Sequence, residues 1–192
     1  YKEKLLVISK IKSLLIKSYD SNKHEFKIQI LTPMNRGVLG TQNINREVQL
    51  AHSKIINIDV KFMYFNLYDK VIQTKNNYKL EVFNGDIGKI IDIQRKILLV
   101  QFFDKVVEYD EYNCSELSLA YAITTHKSQG SEFDTICIPL LMEHYINLNR
   151  NSLYTAITRA KKKCIIIGDY KAMACAVKKN DIITRKTYLS LS

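Results

Sequence analysis

At 192 residues the chain has room for one medium domain or for a domain with a small insertion, and 46% hydrophobic against 25% charged residues is the balance of a folded globular protein rather than a disordered one. No apolar run approaches the roughly 20 residues that span a bilayer, and Tyr1-Lys2-Glu3-Lys4 opens no signal-peptide pattern, so a cytoplasmic setting without a membrane partner is expected. Cys114, Cys137, Cys164 and Cys175 form no CxxC pair, which leaves buried, reduced thiols as the expectation and argues against a zinc site or a disulfide framework. The net charge of +10 points to an anionic partner, because Lys and Arg gain affinity for a polyphosphate by releasing its counterions. The many Lys, Ile, Asn and Tyr residues fit an AT-rich coding sequence equally well, so motifs must name that partner.

In chain order, Val7, Ile11, Leu14 and Leu15 recur at helical spacing among lysines and predict an amphipathic helix ending near Tyr19-Asp20-Ser21-Asn22. The run Phe26 to Leu31 reads as a strand stopped at Thr32-Pro33. A loop through Asn35, Arg36 and Gly37 then leads to a helix over 41–51 with Thr41 as its N-cap. From about 60 to 118 β-branched and aromatic residues come in short runs between turn signals, of which Asn84-Gly85 is the strongest, and predict a small all-β barrel.

The α/β pattern then resumes. Residues 119–123 and 135–140 are apolar nearly throughout, as parallel strands covered on both faces require. A helix over 149–161, a buried strand over 163–168, a helix over 171–178 and a basic tail complete the expected order. The predicted fold class is α/β: a parallel-sheet motor domain formed by residues 1–58 and 119–192, with a barrel inserted at 59–118.

Three pieces carry chemistry. Thr125-His126-Lys127-Ser128-Gln129-Gly130-Ser131-Glu132 follows a buried strand, where α/β folds place ligands. Thr125 capping a short helical turn would aim the amides of 126–128 at an anion, with Lys127 adding a charge. The plain alternative is a capped, solvated turn. In the helix after Asn149, Leu153, Ala156, Ile157 and Ala160 face the core, while Ser152, Thr155 and Arg159 form a polar stripe. An arginine held on a rigid helix can stabilise charge on a transferring phosphoryl group; a surface arginine in a weak ion pair is the commoner case. Arg36, just past a strand end, is the third piece.

Residues 120–133 resemble helicase motif V of the RecD-like family, and Leu153-Tyr154-Thr155-Ala156-Ile157-Thr158-Arg159-Ala160 resembles motif VI. The loop Leu31 to Gly37 is similar to the motif IV region. Asn76-Asn77-Tyr78 with Val82 to Gly88 is similar to the family's SH3-like insert. The resemblance implies a RecA-like second motor domain of a superfamily 1 DNA helicase. It makes Arg159 the arginine finger of ATP bound between two motor domains, Arg36 a second γ-phosphate contact, and Gly130 and Glu132 nucleotide contacts. Thr125, His126 and Lys127 would face single-stranded DNA, with Asn77 and Tyr78 on the barrel as further contacts, Tyr78 by stacking on a base. His24, His52 and His144 match nothing and are expected to be structural or solvated. Tyr68 stands where the family usually has glycine, which predicts a wider turn.

No GxxxxGK[ST] loop and no acidic magnesium-binding pair occurs in the 192 residues. ATP and Mg2+ are therefore expected at an interface with a first motor domain outside this sequence, no metal ligands are expected within it, and no turnover is expected from it alone. Three other readings stay open: the helicase segment of a TraA-like conjugative relaxase, an inert nucleic-acid-binding fragment of a split gene, and a structural partner-binding domain.

Overall fold

Val7, Ile8, Ile11 and Leu15 form the buried stripe of α1 (Lys2–Lys17) in the computed structural model, which describes residues 2–57, 59–142 and 149–179. The helix ends sooner than predicted. Tyr19–Asp20 (β1) instead pairs antiparallel with Glu25–Phe26 (β2) in a short hairpin. All five residues of β3 (Ile28–Thr32) are buried, and Pro33 ends the strand as expected. The following α2 (Thr41–Ile56) packs Ile44 and Val48 toward α1, with a Lys12–Glu47 ion pair of 2.8 Å across the two helices. Thr41 is not its cap: Gly40 holds that place without a side-chain bond, and the carbonyls of Met34 and Asn35 accept the Thr41 and Gln42 amides.

Beyond α2 the short hairpin of β4 (Lys61–Phe62) and β5 (Phe65–Asn66) precedes an antiparallel barrel sheet. Its strands are β6 (Lys70–Gln73), β7 (Ile87–Gln94), β8 (Ile97–Gln101), β9 (Val106–Tyr109) and β10 (Leu117–Leu119), in the order β10-β6-β7-β8-β9. Val71, Ile90, Leu98, Val100, Tyr109 and Leu117 fill its core, as period-2 alternation on a closing sheet requires. Tyr68 adopts φ +66 and donates its amide to Ile90 O at 2.9 Å. The turn keeps a left-handed, glycine-like backbone although the residue is tyrosine, so the sequence departure changes what the side chain reaches.

The predicted single strand over 119–123 is divided between two sheets. Leu119 pairs with Val71 in the barrel, whereas β11 (Ala122–Thr124) runs parallel to β3. Two buried amides clamp the crossover. Gln29 Nε2 donates to the carbonyls of Ala120 and Tyr121 at 3.0 and 3.1 Å. Asn45 bonds Leu119 O, Ala122 O and Ala122 N–H.

The parallel sheet is completed by β12 (Phe133–Leu140) and β13 (Ala160–Gly168), in the order β11-β3-β12-β13. Between these strands lies α3 (Arg150–Ile157), capped by Asn149 Oδ1, which accepts the Ser152 amide at 2.7 Å. It stops four residues short of the predicted end at Lys161, because 160 onward joins the sheet; Ile157 is exposed rather than in the core. Asp169 caps α4 (Tyr170–Lys178). Cys114 and Cys137 are buried and Cys164 and Cys175 partly so, all free; burial pushes the thiols of Cys114 and Cys137 up to about 11 and about 12. The basic tail and His144 lie outside the described residues. Among the described residues no helix is long and apolar enough to cross a membrane.

Candidate nucleotide and nucleic-acid interface

Parallel pairing brings Thr32 and Thr124 side by side where β3 and β11 end, and the Thr125 amide donates onward to Thr32 O at 3.2 Å. The loops carrying Arg36 and Lys127 thus leave the same edge of the sheet. Residues 125–130 form consecutive turns rather than a helix. Thr124, not Thr125, supplies the capping oxygen: its Oγ1 accepts the Lys127 amide at 3.2 Å, and its carbonyl accepts the Ser128 amide at 3.1 Å. Two of the three amides expected to face an anion are therefore spent inside the loop. Ser128 is buried with its Oγ on Thr125 O at 2.7 Å, which fixes the loop, while His126, Lys127, Gln129 and Gly130 are exposed. Thr125 is itself buried and reaches the surface only as part of a cavity wall.

Arg159 lies two residues past α3, at the turn into β13, and not on the helix as its periodicity predicted. The turn holds it firmly: its amide donates to Ala156 O at 3.1 Å and its carbonyl accepts from the Phe133 amide at 2.9 Å. The guanidinium donates to Thr155 O, Ser131 O and Thr158 Oγ1 at 3.3, 3.4 and 3.5 Å. Among the described residues no carboxylate lies within ion-pair distance of it; nearby Glu132 pairs with Lys161 at 3.5 Å. Arg159, the Gly130 loop and Glu132 therefore share one corner. Gly130 has φ +83 and open space where a side chain would stand.

Arg36 is exposed on the β3–α2 loop and makes no bond to that corner. Its backbone is tightly placed, since a Cβ on Gly40 would stand 2.5 Å from the Arg36 carbonyl oxygen. On the barrel side, the Asn84–Asp86 turn faces residues 126–131 across a cleft of about 530 Å³. Asn77 is occupied structurally: Nδ2 donates to Glu116 Oε2 at 3.0 Å, and Oδ1 accepts the Lys79 and Leu80 amides. Tyr78 is 76% exposed, edge-on to Phe83 at 6.1 Å. Sequence reasoning missed Phe83, although it adjoins the strong Asn84-Gly85 turn. Gln129 and Ser152, named in the motif and the polar stripe but given no role, line a second cavity of about 360 Å³ with Asn151, Pro33 and Thr125; nothing but the fold brings the β3 end, the β11 loop and α3 together.

Residues 42–102 match the family profile of the ATP-dependent RecD-like DNA helicase SH3 domain, and residues 119–167 match that of the UvrD-like helicase C-terminal domain. The ATP-dependent RecD2 DNA helicase of Deinococcus radiodurans is 36% identical over 150 residues, covering 78% of this chain and 21% of that protein. The RecBCD enzyme subunit RecD of Haemophilus influenzae is 29% identical over 157 residues, covering 79% of this chain and 23% of that protein. The chain thus spans about a fifth of the length of the curated relatives it matches. Pif1 helicase from Bacteroides, solved in complex with ADP-AlF3 and ssDNA, superimposes with a TM-score of 0.51 at 18% identity, over 88% of this chain and 49% of that one, a likeness of fold. With a RecD-like SH3 profile and a helicase C-terminal profile matched in chain order, the chain belongs to the RecD-like superfamily 1 DNA helicases and is their C-terminal region, a RecA-like α/β domain with an SH3-like insert.

Proposed function

We propose that the chain is the second motor domain of a cytoplasmic, ATP-driven DNA helicase, acting against a first motor domain that binds the nucleotide. The observation that carries this reading is Arg159: a guanidinium fixed by the α3–β13 turn, beside the Gly130 loop, held by carbonyls and a hydroxyl and, among the described residues, without a carboxylate partner. Such a group meets developing phosphoryl charge without first breaking an ion pair. ATP would supply the transferred phosphoryl group. Arg159 would stabilise it, Gly130 would let the loop approach the nucleotide, Glu132 would contact the nucleotide once released from Lys161, and Arg36 would add a second cation from the neighbouring loop. Among the described residues no group of three or more His, Cys, Asp or Glu could hold a metal ion; in this reading Mg2+ is held by the first motor domain.

Single-stranded DNA would run along His126 and Lys127, past the cavity wall at Thr125, toward the barrel. Tyr78 with Phe83 offers an exposed aromatic pair for stacking, and Asn77 would act by shaping the loop that carries Tyr78. The test is DNA-stimulated ATP hydrolysis by this chain, alone and with the first motor domain of a RecD-like relative added in trans. Turnover is expected in trans, and Arg159→Ala should lower it about a thousandfold. Turnover by the isolated chain would sink the divided-site reading, and trans turnover indifferent to Arg159→Ala would remove the role given to Arg159.

A further inference from the structure

A cavity of about 330 Å³ lies where the barrel meets the motor sheet, away from the Arg159 corner. Its apolar walls come from both units: Phe26 and Ile28 from one, Ile87 and Phe102 from the other. Tyr68 closes one side, its ring stacked on His24 at 4.2 Å and an interplanar angle of 7°. A tyrosine at φ +66 is strained relative to glycine. The side chain held at that backbone gives the cavity an aromatic wall that glycine would not supply.

The polar lining is unbalanced. Lys70 donates to Gln29 Oε1 at 2.6 Å and lies 5.6 Å from the Phe133 ring centroid. Among the described residues no carboxylate comes within ion-pair distance of it. Burial pulls its ammonium down to about 8, and Glu25, exposed in the cavity lining, acts on it only through space. Lys89, also in the lining, spends its ammonium on Lys23 O at 2.7 Å. His52, another wall residue, has a buried Nε2 with no partner among the described residues, an acceptor that takes no part in holding an anion. A desolvated cation answered by one neutral amide, set among aromatic rings, is matched by an anion with a flat apolar body.

We propose that this cavity binds a small aromatic carboxylate, its ring between Phe26, Tyr68 and Phe102 and its carboxylate against Lys70. An amine of the same shape brings a second cation to Lys70, and a neutral alcohol leaves the existing charge unanswered. Because the walls belong to both units, occupancy ties the barrel to the motor sheet and raises the melting temperature of the chain.

The test titrates the isotopically labelled chain with phenylacetate, 2-phenylethanol and phenethylamine, following amide resonances. Phenylacetate is expected to shift the amides of Phe26, Tyr68, Lys70 and Phe102 saturably, and to bind at least tenfold more tightly than phenethylamine. Lys70→Met should weaken phenylacetate tenfold or more while leaving 2-phenylethanol within about twofold. Tyr68→Gly suits the left-handed backbone and so preserves the fold; it should weaken both. The proposal is overturned by no saturable shift, by equal binding of acid and amine, or by undiminished binding to Lys70→Met. If Lys70→Met does not fold, unchanged phenylacetate affinity in Tyr68→Gly overturns it.

Discussion

Gly130 separates backbone strain from crowding at a single residue. Its φ of +83 penalises any side chain, but no atom lies within 4 Å of the place a Cβ would take. Gly130→Ala should therefore lose only about 1 kcal/mol of stability, read by urea unfolding. If the loop lies against the nucleotide as proposed, turnover with a first motor domain in trans should fall far more than that loss accounts for. Undiminished turnover would remove Gly130 from the nucleotide site. The residue scale is also where the sequence was least decisive. Thr124 and Thr125 are chemically equal candidates for the cap, and only the parallel pairing of Thr124 with Thr32 selects between them. Asn77 has the composition of a nucleic-acid contact, yet Glu116 and two loop amides, distant or local, claim its side chain.

At the scale of elements, Gly168 sits opposite Leu140 at the end of the β12–β13 ladder. A Cβ there would stand 1.8 Å from the Leu140 carbonyl oxygen, which is backbone and cannot rotate away. The same carbonyl accepts the Asp169 amide at 2.9 Å, and Asp169 caps α4. Gly168→Ala should cost about 2–3 kcal/mol and speed amide exchange at 168–171 before the rest of the sheet; wild-type denaturation and exchange would refute this account of the strand end. The strand over 135–140 was legible as parallel because burial on both faces demands an apolar run, and the strand before Thr32-Pro33 was legible from its β-rich residues and the proline stop. The end of α3 was not. Thr158 to Lys161 continue the helical pattern, but the pairing of Phe133 with Arg159 and Ala160 overrides local preference. That override moves Arg159 off the helix and into the turn beside Ser131. The corner of Arg159, Gly130 and Glu132 was thus visible in the motifs, and the geometry that holds it was not.

Across the whole molecule, barrel and motor domain are joined by a buried polar chain. Asp69, at the barrel entrance, accepts from Tyr121 Oη at 2.8 Å and from Gln49 Nε2 on α2; Tyr121 Oη in turn meets His52 Nδ1 at 2.7 Å. Because the Tyr121 hydroxyl donates to Asp69, His52 Nδ1 carries a proton and donates to that oxygen. Burial pushes the Asp69 carboxyl up to about 6, against the lowering effect of bonds from Asn66, Gln49 and Tyr121. Burial, with a smaller contribution from the charge of His24, pulls His52 down to about 4. The two act oppositely on stability. Between its unfolded value of 3.8 and its folded value of about 6, Asp69 binds protons more tightly in the folded chain, so its contribution falls as pH rises through that window. Between about 4 and 6.5, His52 binds protons less tightly in the folded chain, so its contribution rises with pH. Each change amounts to about 3 kcal/mol, and in the wild type they largely cancel. Single variants uncover them. From pH 4 to 6.5 the stability of the wild type relative to Asp69→Asn should fall by up to about 3 kcal/mol, and relative to His52→Gln should rise by a similar amount. Urea unfolding of the three proteins across that range decides the matter. Two differences that move in the same direction, or neither moving, would mean that this chain does not titrate as its burial requires.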